Sequence, residues 1–576
     1  MRLKLKLGWL VPKTARTGVR MGGRTAPFAA YPNRLRFVMA ICIAVLIAAV
    51  VTQSSKRKLV HGVTGVDPHE ADVVIYGGTP AGIAAAVQVG RMGGRAVLIE
   101  PTRHLGGMMT SGLGFSDYLP AFKAVVGGIS QEFFARVGHV YERPDSMTFE
   151  PHVAERVFNE MIRESSVHVA MGDKLDRVEV SGKKIVSVTT AGRATFRAQM
   201  FIDASYEGDL LAGAGVSRTI GREANAKYQE TLNGVRPPQD GEPLSAFREP
   251  GRPASGLLPY VQADRDLPVG AADGGVQAYG YRLCLTRNAA NRIPFTAPPG
   301  YDERDYELLA RDIQQRLSRG ETLELRSFLK IDALPNQKFD VNCSTSFTNG
   351  LLSTDLIGYN DGYIESSSED REQFAAELRR YTAGLLYFLG HSSAVPPAIR
   401  REWLTYGLCR DEFQDNGNWP YQLYIREGRR MVSDYVMLEQ NAKGQRIADR
   451  SIGLAAYFLD SHWVHRICKE GNVRLEGHFL ERIPGPFPVA YTATVPKRSE
   501  CQNLLVPVCL SASHVCFSAI RMEPTEMILG QSTAAAAVQA IEDGSIVQDV
   551  NYAKLAARLA KARQVLRWPL PAGLKW

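Results

Sequence analysis

The chain has 576 residues, enough to bury a large core, and its 45% hydrophobic and 22% charged residues are typical of a globular protein. Its formal net charge is +8, but residues 1–36 alone hold nine Lys or Arg and no Asp or Glu, so the rest of the chain is close to neutral. Positive charge confined to a short tail does not make the basic face that binds a phosphate backbone. We therefore expect no nucleic-acid partner.

An unbroken apolar run of 15 residues, FVMAICIAVLIAAVV, follows this tail at residues 37–51. The run is short for a membrane span, which needs about 20 residues, and is typical of the apolar part of a signal peptide. We predict a basic tail at 1–36 and a signal peptide or transmembrane anchor at 37–58. The body would then be exported to the periplasmic side, with membrane anchoring through residues 37–51 if the segment is not cleaved. If the run is instead a buried core helix, the protein is cytoplasmic.

The stretch from Ala71 to Glu100 has the order strand, glycine turn, alanine-rich helix and second strand that is typical of a dinucleotide-binding unit. Gly77 allows the tight turn, Gly82 allows the helix to pack closely on the sheet, and the N-terminus of the helix attracts a pyrophosphate. Glu100 stands where a carboxylate accepts hydrogen bonds from a ribose 2′-hydroxyl, which favours FAD or NAD over NADP. Thr79 replaces the central glycine, so its β-carbon would crowd the pyrophosphate or its hydroxyl would donate a hydrogen bond to it. An ordinary glycine-rich loop is the alternative.

Between residues 102 and 388 the sequence alternates loops, strands and helices. Paired glycines at 102–114 would let the backbone approach a long cofactor, unless they form a plain flexible loop. Residues 167–180 and 185–196 alternate like strands, and residues 200–204 predict a short apolar strand. Residues 237–265 are rich in Pro, Gly and charge and predict a loop or domain boundary. Amphipathic helices are predicted at 302–319 and 371–388.

The C-terminal part returns to the pattern of the first part. Residues 503–508 predict a buried strand, 511–524 a polar turn and 526–541 a helix of small residues. A flavin domain needs a strand, a loop and an Ala/Gly helix at this end, because the helix can direct its N-terminus at the flavin or the pyrophosphate.

The eight cysteines are dispersed and form no CxxC pair, so the sequence predicts no zinc or other metal site and no iron–sulfur cluster. We expect most of them to be buried as small apolar side chains, and a disulfide among them stays open. They are Cys42, Cys284, Cys343, Cys409, Cys468, Cys501, Cys509 and Cys516.

Five segments match a known family in the same order along the chain. They are YGGTPAGIAAA (76–86), RHLGGMMTSGLG (103–114), DASYEGDLLAGAG (203–215), YIREGRRM (424–431) and SASHVCFSAIRMEP (511–524). In these segments the chain closely resembles the bacterial FAD-dependent oxidoreductases of the glutathione-reductase-like superfamily, loosely labelled xanthan lyase-like. The resemblance covers residues 71–544. It implies an α/β fold with a Rossmann-like FAD-binding domain built from both chain ends and an inserted α+β substrate domain.

The resemblance also implies domain boundaries and cofactor contacts. The FAD-binding domain would comprise 71–236 and 501–545, with the substrate domain at 237–500 and a C-terminal helical tail at 546–576. Asp203 would close the site near the ribityl chain of FAD, unless it is a surface aspartate. The residues expected to contact the ADP half of FAD are Gly77, Gly78, Thr79, Ala81, Gly82, Glu100, Arg103, Gly106 and Gly107.

His514 and Arg521 are the candidate catalytic residues. A flavin that oxidises a C–H or alcohol group needs a base for one proton and positive charge where the reduced ring becomes anionic. Histidine suits the first role near neutral pH, and arginine suits the second because it is always charged. The alternatives are a satisfied buried histidine and a structural ion pair between Arg521 and Glu523.

Three further polar groups each have two interpretations. Arg426, Arg429 and Arg430, in a predicted helix, bind an anionic substrate or form a solvated basic face. The segment 460–465, DSHWVH, imitates a metal site but has no further ligand pattern. Alternating polar residues on a predicted strand line the substrate pocket or form the wet side of a sheet; they are Asn336, Lys338, Asp340 and Asn342.

The predicted function is transfer of a hydride from a small organic donor to flavin N5, with reoxidation by an unidentified electron acceptor. Family association suggests a carbohydrate-derived donor. Only one Rossmann fingerprint is present, so no separate NAD(P)H domain is predicted. Two other functions stay open: an NAD-dependent dehydrogenase, and a non-catalytic exported protein that keeps FAD as structural support.

Overall fold

The computed structural model describes residues 69–144, 146–343 and 351–569. The predicted tail and the signal or anchor segment at 1–58 lie outside these ranges, so both stay predictions. In the described part of the chain, no helix combines the length and the apolar character that crossing a membrane requires.

The elements are named here in chain order. The strands are β1 Glu70–Tyr76, β2 Ala96–Glu100, β3 His168–Met171, β4 Leu175–Ser181, β5 Lys184–Thr190, β6 Thr195–Asp203, β7 Arg218–Thr219, β8 Gln262–Ala263, β9 Leu283–Thr286, β10 Arg292–Ile293, β11 Lys330–Ala333, β12 Lys338–Asn342, β13 Gly407–Cys409, β14 Arg430–Met431, β15 Ser451–Ala455, β16 Leu459–Ser461, β17 His465–Lys469, β18 Asn472–Glu476, β19 Phe479–Glu481, β20 Phe487–Ala490 and β21 Leu504–Leu505. The α-helices are α1 Pro80–Arg91, α2 Gly128–Val140, α3 Pro151–Glu164, α4 Asp209–Gly213, α5 Asn225–Tyr228, α6 Glu307–Ser318, α7 Ser368–His391, α8 Pro397–Trp403, α9 Glu439–Ala442, α10 His514–Ile520, α11 Glu523–Asp543 and α12 Tyr552–Lys561.

A seven-stranded sheet has the order β3-β2-β1-β6-β5-β4, with β21 also paired to β6. Strands β3, β2, β1, β6 and β21 run parallel, whereas β5 is antiparallel to both of its neighbours, β6 and β4. Strand β1 is buried from Ala71 onwards, as expected for a parallel strand covered on both faces. The carboxyl ends of β1, β2 and β6 meet at one edge, which places Gly77, Glu100 and Asp203 close together.

The two ends of the chain meet in this sheet and in a helix pair beside it. Strand β21 pairs with the carboxyl end of β6. Helix α11 lies on α1, where Nε2 of Gln531 donates a hydrogen bond of 2.9 Å to Oε1 of Gln88. A β-carbon at Gly530 would overlap the carbonyl oxygen of Ala81. The structure thus confirms the predicted α/β class, with a Rossmann-like domain built from both chain ends.

The residues between these two parts form an α+β region. Its largest sheet is antiparallel, with the order β10-β13-β9-β12-β11. A three-stranded sheet has the order β18-β17-β8, and two smaller sheets pair β15 with β20 and β16 with β19. Helices α6 and α7 confirm the two predicted amphipathic helices. The described residues all lie in one compact unit, so the boundaries at 236, 500 and 545 stay predictions.

Two expectations about local structure are wrong, and a third is confirmed over a shorter span. Residues 511–524 are not a polar turn but contain α10, whose N-terminus is capped by Ser513 accepting a hydrogen bond of 3.2 Å from the N–H of Cys516. Residues 424–431 are not a helix but an irregular segment that ends in β14. The buried strand predicted at 503–508 is present but shorter, as β21 Leu504–Leu505 paired with β6.

Replacing Gly530 by alanine is expected to lower the free energy of unfolding by about 1–3 kcal/mol, because the added β-carbon would force α11 away from α1. Helix propensity alone would favour alanine by about 1 kcal/mol. A decrease in the free energy of unfolding would therefore report the close contact between the two helices. Chemical denaturation measures it. The matched control is G241A, where the new β-carbon would have nothing within 4 Å. A G530A protein as stable as the parent would contradict this packing.

Candidate active site

The turn after β1 is built from backbone contacts that require glycine. Gly77 has φ +100°, and a β-carbon there would lie 2.7 Å from the carbonyl carbon of Ala204. A β-carbon at Gly82 would overlap the carbonyl oxygen of Gly77. The tight turn and the close seating of α1 are therefore both present as predicted.

Thr79 caps the N-terminus of α1. Its Oγ1 accepts a hydrogen bond of 3.2 Å from the N–H of Gly82 and donates one of 2.8 Å to the carbonyl oxygen of Ala204. Because a hydroxyl carries one hydrogen, the Thr79 side chain has no hydrogen left to donate to a pyrophosphate. The start of α1 still carries the partial positive charge that attracts an anion.

Glu100 ends β2 and points its carboxylate at the same turn. Its Oε2 accepts a hydrogen bond of 2.7 Å from the N–H of Gly78, and its Oε1 accepts one of 2.6 Å from the N–H of Thr102. Burial raises the pKa of Glu100, although these hydrogen bonds favour the charged form. A carboxylate accepts about four hydrogen bonds, so the two oxygens can still accept from ribose hydroxyls.

A cavity of about 500 Å³ opens beside these groups, and we call it the cofactor cavity. Gly77, Thr79 and Glu100 border it, so the predicted phosphate turn and the predicted ribose acid face one space. The other residues that shape it include Leu175, Val178, Ser205, Glu207, Tyr281, Arg371, Leu423 and Arg429.

Most of the other predicted cofactor residues support the turn from behind. Ala81 is fully buried, with its carbonyl group against Gly530. Gly106 donates a hydrogen bond of 2.7 Å from its N–H to the carbonyl oxygen of Gly78, which ties the two glycine-rich segments together. Arg103 is exposed and does not border the cofactor cavity.

Gly107 lets Tyr206 reach the start of α11. A β-carbon at Gly107 would overlap the Tyr206 hydroxyl. That hydroxyl accepts a hydrogen bond of 3.0 Å from the N–H of Met108 and donates one of 2.6 Å to Oε1 of Glu523. Burial raises the pKa of Glu523 to about 8. The sequence predicted that the backbone at this glycine approaches a long cofactor. In the structure it approaches the Tyr206 side chain instead.

Asp203 is fully buried, so the surface-aspartate alternative is wrong. Its carboxylate accepts hydrogen bonds from the N–H and the hydroxyl of Ser205, at 3.0 and 2.6 Å, and from the N–H of Leu211 at 2.7 Å. Burial raises its pKa to about 6. Asp203 thus shapes the loop between β6 and α4, and contact with the ribityl chain stays a prediction.

A second cavity, of about 200 Å³, lies around Arg521, and we call it the Arg521 cavity. Arg521 donates a hydrogen bond of 3.0 Å to the Tyr424 hydroxyl and another of 3.0 Å to the carbonyl oxygen of Asp460. It does not pair with Glu523, which contacts Tyr206 instead. The cavity is also lined by Asp117, Arg282, Lys330, Asn342, Asp355, Tyr457, Phe458, His462 and Trp463.

Three guanidinium groups surround the ring of Tyr424. Arg426, Arg521 and Arg282 lie 4.4, 5.8 and 5.9 Å from the ring centroid. Arg282 forms a bidentate pair with Asp340, with both hydrogen bonds at 2.8 Å. Burial raises the pKa of Tyr424, against the opposing charge of the arginines. Tyr424 is therefore neutral near pH 7.

The predicted solvated basic face at 426–430 is wrong, because all three arginines are buried in ion pairs. Arg429 lies 2.7 Å from a carboxylate oxygen of Asp209, and Arg430 lies 3.1 Å from one of Glu223. Arg426 pairs in the same way with the Asp355 carboxylate at 3.0 Å. These carboxylates lie far away in the sequence, and pairing with them fixes the position of the segment.

His462 is the titratable group of the Arg521 cavity whose role sequence reasoning missed. It lies between β16 and β17, and its Nδ1 is 2.8 Å from Oδ2 of Asp355. Burial and the charge of Arg426 lower its pKa, against the raising effect of Asp355. Asp355 is 107 residues away, so no local pattern could have identified this pair.

The Asp355 carboxylate, the His462 ring and the Cys343 thiol place three ligand-type atoms within 4.8 Å of one another. Arg426 is paired with the same carboxylate, and its positive charge opposes a cation there. His465, in the same DSHWVH segment, faces elsewhere and contacts Glu476. The segment therefore does not gather its own histidines around one metal position.

His514 is fully buried and does not border the Arg521 cavity. Its Nδ1 is 2.8 Å from Oε2 of Glu427, and its Nε2 is 3.3 Å from the hydroxyl of Ser461, the residue before His462. Burial alone would raise the pKa of Glu427, but its interactions with His514 and Arg430 bring it below its usual value. The catalytic role of His514 stays a prediction.

Strand β12 does not have the wet face that was one expectation. Lys338 is fully buried, 2.8 Å from a carboxylate oxygen of Glu150 and 2.6 Å from one of Glu412. Asp340 pairs with Arg282, whereas Asn342 borders the Arg521 cavity, as the other expectation proposed. Asn336 lies before the strand, so the predicted row is incomplete.

The two cavities lie back to back. Tyr281 borders the cofactor cavity and the next residue, Arg282, borders the Arg521 cavity. In the same way, Leu423 borders the first cavity and Tyr424 the second.

Residues 72–559 match the family described as FAD dependent oxidoreductase. The chain belongs to this family. FAD is therefore its cofactor.

Solved structures resemble only a part of this FAD-dependent oxidoreductase. NikD, described as an unusual amino acid oxidase, is 16% identical over 27% of this chain and 57% of its own, with a TM-score of 0.21. L-proline dehydrogenase from P. horikoshii is 14% identical over 27% of this chain and 59% of its own, with a TM-score of 0.22. THI4 from Thermovibrio ammonificans is 17% identical over 32% of this chain and 74% of its own, with a TM-score of 0.21. The match thus spans less than two thirds of the NikD and L-proline dehydrogenase chains. Because these TM-scores are low, the assignment of the chain to a family rests on the family match alone. No curated protein matches the chain.

The cofactor cavity fits the ADP half of FAD. The glycine turn leaves no β-carbon at Gly77, the start of α1 attracts the pyrophosphate, and Glu100 retains acceptor capacity for the ribose. We expect these three features to hold the cofactor.

Replacing Glu100 by glutamine is expected to weaken FAD binding about tenfold, because a neutral amide replaces a charged acceptor worth roughly 1.5 kcal/mol. Titration of the apoprotein with FAD, followed by quenching of flavin fluorescence, measures the change. E70Q alters an exposed glutamate at the start of β1 and should bind FAD like the parent. Unchanged affinity in E100Q would remove Glu100 from the cofactor site.

Proposed function

We propose that this FAD-dependent oxidoreductase oxidises a small polyhydroxylated, carbohydrate-derived donor in the Arg521 cavity. The observation that carries the proposal is that this cavity, which contains the His462–Asp355 pair, adjoins the cofactor cavity through residues 281–282 and 423–424. FAD, when bound, supplies the acceptor for the hydride at N5, and an unidentified electron acceptor reoxidises it. The family assignment, with FAD as cofactor, sets aside the NAD-dependent alternative.

The lining of the Arg521 cavity supports a donor that is polar but carries little net charge. Arg282 and Asp355 both face the cavity, and each is balanced by a partner of opposite charge behind it. Tyr457, Phe458 and Trp463 add aromatic surface to the same cavity. Planar charged groups hydrogen-bond hydroxyls, and aromatic rings pack against the C–H faces of a sugar-like molecule.

His462 is the proposed base for the hydroxyl proton of the donor. If Nδ1–H donates to Asp355, the other ring nitrogen, Nε2, carries the lone pair that accepts a proton. The lowered pKa of His462 keeps the ring neutral near pH 7, so it is ready to accept. Asp355 is a positioning residue that fixes the tautomer and the orientation of the ring.

Arg521 is the proposed source of positive charge for the anionic product of flavin reduction. Its guanidinium is fixed by Tyr424 and by the Asp460 carbonyl group, so it needs no rearrangement when charge develops. His514 would act through Ser461 on the segment that carries His462, which makes it a positioning residue in this proposal.

Replacing His462 by glutamine is expected to slow reduction of the bound flavin by a good donor about 10²–10⁴-fold, because the proton acceptor is lost. A set of sugars, sugar acids and polyols is mixed anaerobically with the enzyme, and loss of the visible flavin absorbance gives the rate. H514Q is the matched variant and should cost less than tenfold, with FAD content unchanged in both. An H462Q enzyme as fast as the parent would refute the assignment of the base, and a larger loss in H514Q would return that role to His514. If no hydroxylated donor reduces the flavin, the proposed donor class is wrong.

The pH dependence of kcat/KM should follow His462. Its pKa is below the usual 6.5 of histidine, so the rate should fall only as the pH drops below about 6.5. Asp355 raises this pKa, so D355N is expected to move the acid limb to still lower pH, by on the order of one unit. D361N removes a comparable partner from His465, which lies outside the cavity, and should leave the limb in place. If the acid limb of the kcat/KM profile does not move in D355N, a group other than His462 causes it.

A further inference from the structure

Two cysteines face each other across adjacent strands of the antiparallel sheet. Strands β9 and β13 pair with Leu285 opposite Leu408, so the next position places Cys284 opposite Cys409. Their Sγ atoms are 3.8 Å apart, and Sγ of Cys409 is 3.4 Å from the carbonyl oxygen of Cys284, to which it donates. Neither residue borders the cofactor cavity or the Arg521 cavity.

The backbone at this position suits a covalent bond. A disulfide needs Cα atoms about 4.4–6.8 Å apart, and directly opposed residues of an antiparallel pair lie about 4.5–5.5 Å apart. The S–S bond itself is about 2.05 Å long. Rotation of the two side chains about χ1 can therefore bring the sulfurs together while the strand pairing stays as it is.

Two apolar side chains pack against the pair. Cys284 and Cys409 pack with Leu334 and Phe413, and both are almost completely buried. Burial raises the pKa of the Cys284 thiol well above its ordinary value, so the reactive thiolate is scarce while the sheet is closed. The pair can react during folding or when the sheet opens locally. A disulfide would also remove the two buried S–H donors from this apolar cluster.

We infer that Cys284 and Cys409 form a disulfide bond that cross-links β9 to β13 when the chain meets a disulfide donor, such as a protein disulfide or oxidised glutathione. One cysteine thiolate attacks the donor disulfide, which forms a mixed disulfide and releases one thiol. The second cysteine thiolate attacks the bonded cysteine sulfur and releases the other half of the donor as a thiol. The pair loses two electrons and two protons, and the donor is reduced to two thiols.

The bond would close a long loop that contains α6, α7 and α8. In the chain-entropy account, a long closed loop restricts the unfolded chain strongly and so stabilises the folded sheet. Disulfides form and persist in oxidising compartments, which agrees with the export predicted from residues 37–58. The inference concerns the sheet alone and is independent of which donor the enzyme oxidises.

The test uses the full-length protein with FAD bound, incubated at pH 8 with oxidised glutathione. Urea below the unfolding midpoint lets the sheet open transiently, and incubation continues until the half-buried Cys468 carries glutathione. The remaining thiols are then blocked with N-ethylmaleimide under denaturing conditions, and peptides are mapped by mass spectrometry without reduction. The expected result is one peptide pair joined through residues 284 and 409, about 2 Da lighter than the two thiol peptides. The midpoint of thermal unfolding should rise by several degrees.

Matched variants separate this bond from general oxidation. C409A should give no joined peptide, and its unfolding midpoint should not respond to the oxidant; C284A provides the same test from the other strand. C516A removes a buried cysteine elsewhere and should keep the bond. If Cys468 carries glutathione while both members of the pair carry N-ethylmaleimide, the inference is wrong.

Discussion

The close contact between α1 and α11 is the constraint on which the rest of the structure depends. Helix α1 begins at the phosphate-binding turn, and α11 begins just after Arg521, so the seating of one helix on the other places the two cavities side by side. The absence of a side chain at Gly530 permits this contact with Ala81. Helix α11 is buried from Glu523 to Ile541, which is why it consists largely of small and apolar residues and has no polar face.

Charge pairing is the second constraint, and it explains why so many arginines lie inside the protein. A buried guanidinium that lost its carboxylate would be strongly destabilising, and Arg282 and Arg426 each have one at 3.0 Å or closer. These pairs make a rigid and nearly neutral lining around Tyr424. Arg521 differs, because the nearest carboxylate oxygen of Asp460 is 3.9 Å away. Its positive charge is therefore less fully compensated than that of Arg282 or Arg426, at the point where the proposed chemistry needs it.

In the proposed function, the α+β region between the two parts of the FAD-binding domain provides the substrate side of the site. Its antiparallel sheet carries Asn342 and holds Arg282 through Asp340, and the segment between β16 and β17 carries His462. The two chain ends supply the cofactor side together with Arg521. Because each cavity is formed where these parts meet, a cross-link within the inserted sheet would stabilise one wall of the Arg521 cavity and leave the cofactor turn unchanged.

The sequence alone determined the dinucleotide-binding unit at 71–100 and the small-residue helix near the C-terminus, because turn geometry, capping and periodicity act within about thirty residues. It also pointed to Arg521, which does border a cavity. Only the tertiary structure decided that His462 faces that cavity and that His514 lies behind it. The physical reason is that the orientation of each ring depends on a distant partner: Asp355 is 107 residues from His462, and Glu427 is 87 residues from His514. Contacts between residues so far apart leave no periodic pattern in the chain.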